Sequence, residues 1–164
     1  MSIPLSLEGK RGIVLGIANS HSIAYGIAEV LSQLGAELCV TYLNEKAKPY
    51  VEPLADKLAT TLFLPCDVSK ADELEAVFEQ AKTQWGTIDF VIHSIAWSPL
   101  DELHGRLVDS SSSGFSLAMD ISCHSFIRTA RLAEAQMKDN GGTLITMTYY
   151  GSEKVVNNYG IMGP

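Results

Sequence analysis

The stretch GIVLGIANSHSIAYGIAEVLSQLG, residues 12–35, decides the fold prediction. Its first six residues form an apolar run bounded by glycine, which is typical of a strand buried on both faces of a sheet. Apolar side chains then recur at helical spacing up to the closing Gly35, and we expect them to form the buried face of an amphipathic helix. These residues are Ile23, Ile27, Val30, Leu31 and Leu34. The stretch therefore predicts a strand, a short turn and a helix.

Strands and helices alternate along the rest of the chain. Further strands are predicted at residues 36–42, 61–68, 88–96 and 142–151, and further helices at residues 48–59, 69–85 and 115–137. Pro53 is expected to kink the second helix, and Ser69 is expected to cap the third. The third helix carries its own apolar stripe, formed by Leu74, Val77, Phe78, Ala81 and Trp85.

Five β units joined by helices predict an α/β fold. Parallel neighbouring strands need crossover connections, so strict alternation indicates a Rossmann-like, doubly wound parallel sheet with helices on both faces. Ligands of such sheets bind beyond the carboxyl ends of the strands. We therefore expect the chemistry to follow Gly16, Tyr42, Cys66, His93 and Thr148.

Composition narrows the possible partners. The chain has 164 residues, 46% of them apolar and 19% charged, which suits one globular domain. A net charge of −7 argues against nucleic acid or an anionic membrane as the main partner. The sequence has neither a signal peptide pattern nor an apolar run long enough to span a bilayer, so a cytoplasmic location is expected.

The three cysteines, Cys39, Cys66 and Cys123, lack the spacing of metal ligands. We expect them to be buried thiols of a reducing compartment, and we predict no metal site.

The turn after the first strand lacks the G-x-G-x-x-G fingerprint but carries residues with similar properties. Gly16 permits a tight turn, and Ser22 can bind a phosphate or cap the helix. Small residues at Ala24 and Gly26 would let the helix N-terminus approach a pyrophosphate and the sheet. A dinucleotide site and a well-capped structural turn both account for this segment.

Two other strand ends carry residues that suit parts of the same extended ligand. Asp67 could accept a hydrogen bond from an adenine amino group, with the backbone of Val68 beside it. Ser94 and Ala96 are small enough for a ribose or nicotinamide to lie against the backbone. His93 is either a histidine satisfied within the sheet or a catalytic group. Together the three strand ends favour a dinucleotide site.

The combined motifs resemble the bacterial NADH-dependent enoyl-acyl-carrier-protein reductases, a divergent branch of the short-chain dehydrogenases. The resemblance extends from about Leu7 to Gly163. It is carried by Gly16-x5-Ser22-x-Ala24-x-Gly26, Cys66-Asp67-Val68, His93-Ser94-Ile95-Ala96, Asp120-Ile121-Ser122, and Tyr149 followed by Tyr159-x-x-Met162.

The resemblance implies a role for each matching position. Tyr159 and Tyr149 would be catalytic, and together with Ala96 they would contact the enoyl-acyl-carrier-protein substrate. The cofactor would be NADH, and a homotetramer is also implied. Cofactor-binding residues would be Gly16, Ser22, Ile23, Asp67, Val68, Ser94, Ile95 and Ala96.

The family pattern places a lysine seven positions after the tyrosine, which is beyond Pro164. The resemblance therefore implies that residues 1–164 are a single dinucleotide-binding domain, incomplete at its C-terminus. We expect the chain alone to have little or no reductase activity.

The choice between NADH and NADPH depends on the segment after the second strand. Leu43 and Asn44 stand where NADPH users of the family tend to have arginines for the 2′-phosphate. NADH is therefore favoured, and the nearby Lys46 and Lys48 keep NADPH as the less favoured alternative.

Two other functions compete with this interpretation. A short-chain dehydrogenase acting on ketones or alcohols usually has a serine about 13 residues before the tyrosine, where this chain has Thr146. The chain could also be a non-catalytic nucleotide-binding module.

Overall fold

A parallel five-stranded sheet lies at the centre of the molecule, in a computed structural model that describes residues 5–163. The strands are β1 (Arg11–Leu15), β2 (Glu37–Tyr42), β3 (Leu62–Pro65), β4 (Phe90–His93) and β5 (Thr143–Thr146). Their order across the sheet is β3-β2-β1-β4-β5, and every neighbouring pair is parallel. The predicted Rossmann-like α/β fold is confirmed.

The strand order reverses between β1 and β4. The chain first builds outward from β1 to β3 and then returns to place β4 on the other side of β1, where Leu15 is in register with His93. Such a switch point leaves a crevice at the carboxyl ends of the two central strands. The fold therefore indicates where a ligand would bind.

Helices connect the strands on both faces of the sheet. They are α1 (Ile23–Gln33), α2 (Lys48–Lys57), α3 (Ala71–Trp85), α4 (Leu100–Leu103), α5 (Ser112–Met119) and α6 (Ser125–Met137). One π-helical segment, Asp120–His124, joins α5 to α6 and is called the π turn below. The helix predicted at residues 115–137 therefore begins earlier, at Ser112, and is interrupted by this segment.

The two faces of the sheet pack against different helices because alternate side chains of a strand point to opposite sides. Ile13 and Leu15 of β1 pack with α3 and α6, where Phe78 is fully enclosed. Val14 packs on the opposite side with α1 and α2. The stripe predicted for α3 is confirmed, since all five of its residues are buried.

The buried face of α1 differs from the prediction. Ile23 and Val30 are 64% and 54% exposed, whereas Ala24 and Ala28 are completely buried. The helix packs through these alanines, with Ile27 and Leu31 partly buried beside them. Small side chains let a helix axis lie close to the sheet, and this close approach turns the two larger residues toward solvent.

The cap predicted for α3 is also wrong. The N-cap residue is Lys70, which makes no side-chain cap hydrogen bond. The Ser69 hydroxyl instead donates to the carboxylate of Asp67 over 2.7 Å. Pro53 lies inside α2, which continues through it.

The cysteines differ in their environments. Cys39 and Cys66 are buried as predicted, and burial raises the pKa of each thiol to about 12. Cys123 is exposed, so the prediction was wrong for this residue. Its place in the π turn, which the sequence pattern did not reveal, brings it to the surface.

Within residues 5–163, no helix has both the length and the apolar character needed to cross a bilayer. In the same part of the chain, no group of three potential ligands from His, Cys, Asp and Glu is placed to hold a metal ion.

Candidate active site

Gly16 directly follows β1, at the crevice between β1 and β4. Its φ of +102° lies in the region that favours glycine. A Cβ atom here would overlap the carbonyl oxygen of Ser94 and lie 2.7 Å from its carbonyl carbon. The backbone approach of these two strand ends therefore requires glycine at position 16.

The turn from β1 to α1 is closed by Ser22. Its hydroxyl oxygen accepts hydrogen bonds from the backbone N–H groups of Ala18 and Asn19, both over 3.0 Å. Ser22 occupies the N-cap position of α1 but makes no side-chain cap hydrogen bond. The predicted side-chain cap was therefore wrong, and the hydroxyl holds the turn instead.

The two small residues of α1 have different surroundings. Ala24 is completely buried against the sheet, in agreement with the predicted close packing. A Cβ atom at Gly26 would meet nothing within 4 Å. Gly26 therefore makes no close contact with the sheet, and its role toward a pyrophosphate stays a prediction.

A cleft of about 440 Å³ opens at the segment after β4 that Gly16 packs against, although neither Gly16 nor Ser22 is among its lining residues. It unites the start of α1, the segment after β4 and two tyrosines from the C-terminal part of the chain. Six of its lining residues were predicted as site residues, namely Ile23, Ser94, Ile95, Ala96, Tyr149 and Tyr159. Residues that the sequence analysis did not assign to the site also line it, including Met119, Ser122 and Cys123.

Tyr149 and Tyr159 lie against each other in this cleft. Their ring centroids are 4.7 Å apart and their planes are inclined by 57°. Burial raises the pKa of the Tyr159 phenol, and the neighbouring Tyr149 raises it further. The Tyr159 hydroxyl is therefore protonated at neutral pH and can donate a hydrogen bond.

The backbone on either side of Tyr159 is constrained. Asn158 and Gly160 both have positive φ angles, of 57° and 31°. A Cβ atom at Gly160 would overlap the carbonyl oxygen of Glu102 in α4. This close contact between the two segments holds the tyrosine at the cleft.

A second cavity of about 520 Å³ adjoins the cleft. Ala96, Tyr159 and Met162 line both spaces. The other residues of the second cavity are Trp97, Ser98, Leu100 and Leu103. Its lining is mostly apolar and suits a hydrocarbon chain better than a charged group.

Asp67 and Val68 do not line the cleft. They follow β3, which is separated from β1 by β2, so they lie about 10 Å from the crevice at ordinary strand spacing. The Asp67 carboxylate accepts hydrogen bonds from the N–H and hydroxyl of Ser69. The Val68 side chain is buried, and its carbonyl accepts a hydrogen bond from Arg128 over 2.7 Å. An extended ligand would have to cross β2 to reach them.

His93 is directed into the protein rather than into the cleft. It is completely buried at the end of β4, with its ring nitrogens near the hydroxyls of Thr146 and Ser125. Burial lowers the pKa of His93 to about 4. Of the two roles left open by the sequence, the structure favours a histidine satisfied within the fold.

The cleft fits the part of a dinucleotide that a helix N-terminus and a close backbone approach would hold. The first N–H groups of α1 have no intrahelical partners, and Ile23 brings them to the rim. Gly16 allows the two strand ends to meet, and the small Ala96 leaves room beside them. Gly16, Ser22, Ile23 and residues 94–96 would be positioned to hold such a cofactor.

The segment after β2 is held by its own side chains. The Asn44 side-chain oxygen accepts hydrogen bonds from the N–H groups of Lys46 and Ala47 over 3.0 and 3.1 Å. The Lys48 ammonium lies 5.6 Å from the ring centroid of Tyr42, at cation–π distance. The side chains of Asn44 and Lys48 therefore both already have partners within the chain, rather than being free to bind a phosphate.

Comparison with known proteins identifies the family. The family model described as "Enoyl-(Acyl carrier protein) reductase" matches residues 16–164. The chain belongs to the enoyl-acyl-carrier-protein reductase family.

Relatives within this enoyl reductase family agree in sequence and in fold. Enoyl-acyl-carrier-protein reductase (NADH) 1 of Rhizobium meliloti is 46% identical over 96% of this chain and 57% of its own length. The crystal structure of the Anaplasma phagocytophilum reductase in complex with NAD superposes with a TM-score of 0.92. That alignment has 46% identity and covers 96% of this chain and 60% of the other. A Bacillus cereus enoyl-acyl-carrier-protein reductase solved with NADP+ has 46% identity and a TM-score of 0.91, over 96% of this chain and 62% of its own.

The chain therefore spans about three fifths of the length of the enoyl reductases it matches. The predicted site residues lie within the matched region. Of the missed residues named above, Ser122 and Cys123 belong to the π turn, whose backbone departs from the helix that the apolar spacing predicted, and Met119 ends α5 directly before it. Ser122 belongs to a motif used for the resemblance, but no pattern in the sequence directed its side chain to the cleft.

Proposed function

We propose that this chain provides the cofactor site and the catalytic tyrosine of an NADH-dependent enoyl-acyl-carrier-protein reductase that acts in fatty acid elongation. The observation that supports this most strongly is the convergence of three segments at one cleft. They are the start of α1, the small residues after β4, and the pair of Tyr149 and Tyr159. The names of the curated relatives point to the same activity.

The reaction converts a trans-2-enoyl thioester to the saturated acyl thioester. Bound NADH supplies the hydride that the β-carbon of the substrate accepts. The electron pair of the carbon–carbon double bond then moves toward the thioester carbonyl, and the α-carbon takes a proton. Negative charge therefore develops on the thioester oxygen during the reaction.

Tyr159 is suited to stabilise this charge. Its hydroxyl is protonated at neutral pH, because burial raises the pKa of the phenol above its usual value of 10. A hydrogen bond donated to the thioester oxygen would strengthen as the charge builds, which lowers the barrier rather than the ground state. The half-buried position of the ring limits competition by water for the same oxygen.

Tyr149 would act as a neighbour of Tyr159 rather than as a second donor. Its ring packs against that of Tyr159 and is 51% exposed. The adjoining apolar cavity, which includes Trp97, Leu100 and Leu103, would hold the start of the acyl chain. This arrangement would place the reactive thioester at Ala96, where the two cavities meet.

NADH is proposed as the cofactor. The curated relatives are named NADH enzymes, and one structural relative was solved with NAD. In this chain Asn44 closes its own turn and Lys48 lies on the Tyr42 ring. These contacts leave NADPH the less favoured cofactor, although the Bacillus cereus reductase was solved with NADP+. Asp67 and Val68 are proposed to contact the adenosine end.

The competing ketone dehydrogenase is less well supported. Its catalytic serine would correspond to Thr146, thirteen positions before Tyr159. The Thr146 hydroxyl lies 3.1 Å from the His93 ring and does not line the cleft. A polarising group for a simple ketone is therefore absent from that position of the described chain.

Partner, assembly and location follow from the same proposal. We infer an acyl-carrier-protein thioester as the substrate and a homotetramer as the assembly, as the resemblance implies. A cytoplasmic location suits fatty acid elongation on a carrier protein. We also propose that residues 1–164 belong to one dinucleotide-binding domain, since both core clusters share the same sheet.

The test is the oxidation of NADH with a crotonyl thioester, compared with simple ketones and with NADPH. It is made on a protein of the relatives' full length that carries these residues, because residues 1–164 alone are expected to have little or no reductase activity. Tyr159→Phe removes the hydroxyl while keeping the ring, and is expected to lower kcat by about 10²–10³. Tyr149→Phe is the matched control and is expected to lower kcat much less.

Turnover of ketones without turnover of the enoyl thioester would refute the proposal. An equal effect of the two phenylalanine substitutions would refute the assignment of Tyr159 as the principal donor.

A further inference from the structure

His93 is a buried polar residue that the proposed reaction does not use. It lies at the end of β4, directly before the small residues that line the cleft, and none of its surface is exposed. Its Nε2 is 2.7 Å from the hydroxyl of Ser125, and its Nδ1 is 3.1 Å from the hydroxyl of Thr146. Both ring nitrogens therefore have partners from other elements.

The hydrogen bonds around His93 have only one consistent direction when the ring is neutral. The Ser125 hydroxyl is 2.6 Å from the carbonyl oxygen of Ile121, which can only accept, so the serine proton points there. Ser125 must then accept from His93, which places the ring proton on Nε2. Nδ1 is left as an acceptor, and the Thr146 hydroxyl donates to it. Burial lowers the pKa of His93 to about 4, which keeps the ring neutral at physiological pH.

This chain of hydrogen bonds joins three segments that line the cleft. His93 precedes residues 94–96, and Ile121 precedes Ser122 in the π turn. Thr146 precedes residues 147–149, and the Met147 N–H donates to the His93 carbonyl over 3.1 Å. A single side chain thus connects the end of β4, the π turn and the end of β5.

The π turn in turn holds the segment beyond the cleft. The Ser122 hydroxyl accepts a hydrogen bond from the Trp97 N–H and donates to the Trp97 carbonyl, both over 2.8 Å. The hydrogen bond from Ser125 to Ile121 spans one helical turn and competes with the regular helix ladder. The π turn, and with it the position of Ser122, therefore depends on the orientation of Ser125.

We propose that His93, held as its Nε2-protonated tautomer, is a positioning residue that sets the geometry of the dinucleotide cleft. It acts through Ser125 on the π turn and through Thr146 on the segment leading to Tyr149. This inference rests on the proposed function, because the ligand it concerns is the nicotinamide cofactor. Displacement of a lining segment by about 1 Å is enough to weaken binding or turnover strongly.

The first test measures the Kd of NADH by fluorescence titration of the protein. His93→Phe removes both hydrogen bonds, and Ser125→Ala removes only the connection to the π turn. Each is expected to raise the Kd by about tenfold or more. His93→Gln retains an N–H donor near the position of Nε2 and is expected to restore the Kd to within about threefold of the original value.

A matched control separates positioning from general stability. Gln136 is also buried, its amide donates to the Phe78 carbonyl over 2.8 Å, and it lines neither cavity. Gln136→Leu is expected to lower the melting temperature without changing the Kd. His93→Phe takes one hydrogen-bond partner from each of Ser125 and Thr146 and can prevent folding, so Ser125→Ala provides an independent measurement.

The second test is spectroscopic and needs no ligand. Long-range ¹H–¹⁵N correlation spectra distinguish the two tautomers, and His93→Gln identifies the signal among the four histidines. An Nε2-protonated ring at neutral pH supports the inference, and an Nδ1-protonated or charged ring overturns it.

The possible outcomes separate the two proposals. Binding of NADH by the unsubstituted protein with an unchanged Kd in folded Ser125→Ala and His93→Phe would overturn the positioning role alone. An equal rise of the Kd in Gln136→Leu would overturn it too. Failure of the unsubstituted protein to bind NADH would refute the proposed function and the positioning role together.

Discussion

Replacing Gly16 by alanine tests the close approach of the backbone at position 16 to the Ser94 carbonyl. The added methyl group would overlap the Ser94 carbonyl oxygen and lie 3.3 Å from a side-chain carbon of Ile95. The residue would also have to keep a φ near +102°. Two separate penalties therefore act on one substitution.

The expected size of the effect follows from these two penalties. A non-glycine residue held in an unfavourable backbone region costs about 1–3 kcal/mol. Moving the β4 end away from the added methyl group costs a further 1–3 kcal/mol or so, as in overpacked sites. Gly16→Ala is therefore expected to lower the free energy of unfolding by about 2–6 kcal/mol, a large part of the stability of a typical domain.

Gly26→Ala is the control, because its Cβ atom would enter open space inside α1. Alanine is favoured over glycine in a helix interior, so this substitution is expected to stabilise the protein by about 0.5–1 kcal/mol. Urea unfolding followed by circular dichroism measures both changes, and NADH titration of the folded variants measures the effect on the cleft.

Gly16→Ala should weaken NADH binding. Gly26→Ala should not change the fold and should not lower its stability. The reasoning would be refuted if Gly16→Ala lowered the free energy of unfolding by less than about 1 kcal/mol, because the backbone penalty alone is at least that large. Equal destabilisation by the two substitutions would also contradict the structure.

Three further predictions concern other parts of the molecule. Burial lowers the pKa of His93 from 6.5 to about 4, so between these pH values the unfolded chain binds a proton that the folded chain does not. The contribution of the neutral His93 ring to the free energy of unfolding is therefore fully present above pH 6.5. The free energy of unfolding should fall by about 3 kcal/mol as the pH drops toward 4, and by less in His93→Gln. Equal falls in the two proteins, measured by urea unfolding, would contradict this. Cys123 should react with a thiol reagent in the native protein, whereas Cys39 and Cys66 should react only after unfolding, and native labelling of more than one thiol would contradict their burial. Arg128→Lys should lower stability by about 1–3 kcal/mol, because lysine cannot reproduce the paired hydrogen bonds to the carbonyl after β3 and the carboxylate in the π turn; an unchanged melting temperature would show that these bonds contribute little.

The order of strands and helices could be predicted because each element has its own local pattern of apolar residues. Each buried strand is a short apolar run, and the spacing from Leu74 to Trp85 in α3 is found in the structure as a continuous buried stripe. The face of α1 could not be predicted in the same way. Its large residues Ile23 and Val30 suggested one buried face, but the buried residues are Ala24 and Ala28. Their small size favours burial only because the helix packs closely on the sheet, which the sequence of the helix alone does not show.

The candidate site was predictable where it follows from the ends of strands. Ile23, residues 94–96 and the two tyrosines meet at one cleft because parallel strands end at the same edge. The contribution of Ser122 was not predictable, because it depends on a π turn that is connected to His93 through Ser125. The contact between His93 and Ser125 joins residues that are more than thirty positions apart, a relation that no local pattern expresses.

The strand order also has a consequence for how the molecule is made. β1, β2 and β3 pair with one another within residues 11–65, whereas the crevice needs β4, which joins β1 only after that unit has emerged. Chains grow at about 5–20 residues per second, so the first half has time to pair before the cleft can exist. The same order is expected when the complete chain refolds, because the loop between Tyr42 and Cys66 is shorter than the loop between Leu15 and Ser94 and closes at a lower entropic cost. Pulse-labelled hydrogen exchange during refolding should protect the Cys66 N–H, bound to the Tyr42 carbonyl, before the Ser94 N–H, bound to the Leu15 carbonyl. The crevice would therefore form late, when β4 joins strands β1, β2 and β3 that are already paired.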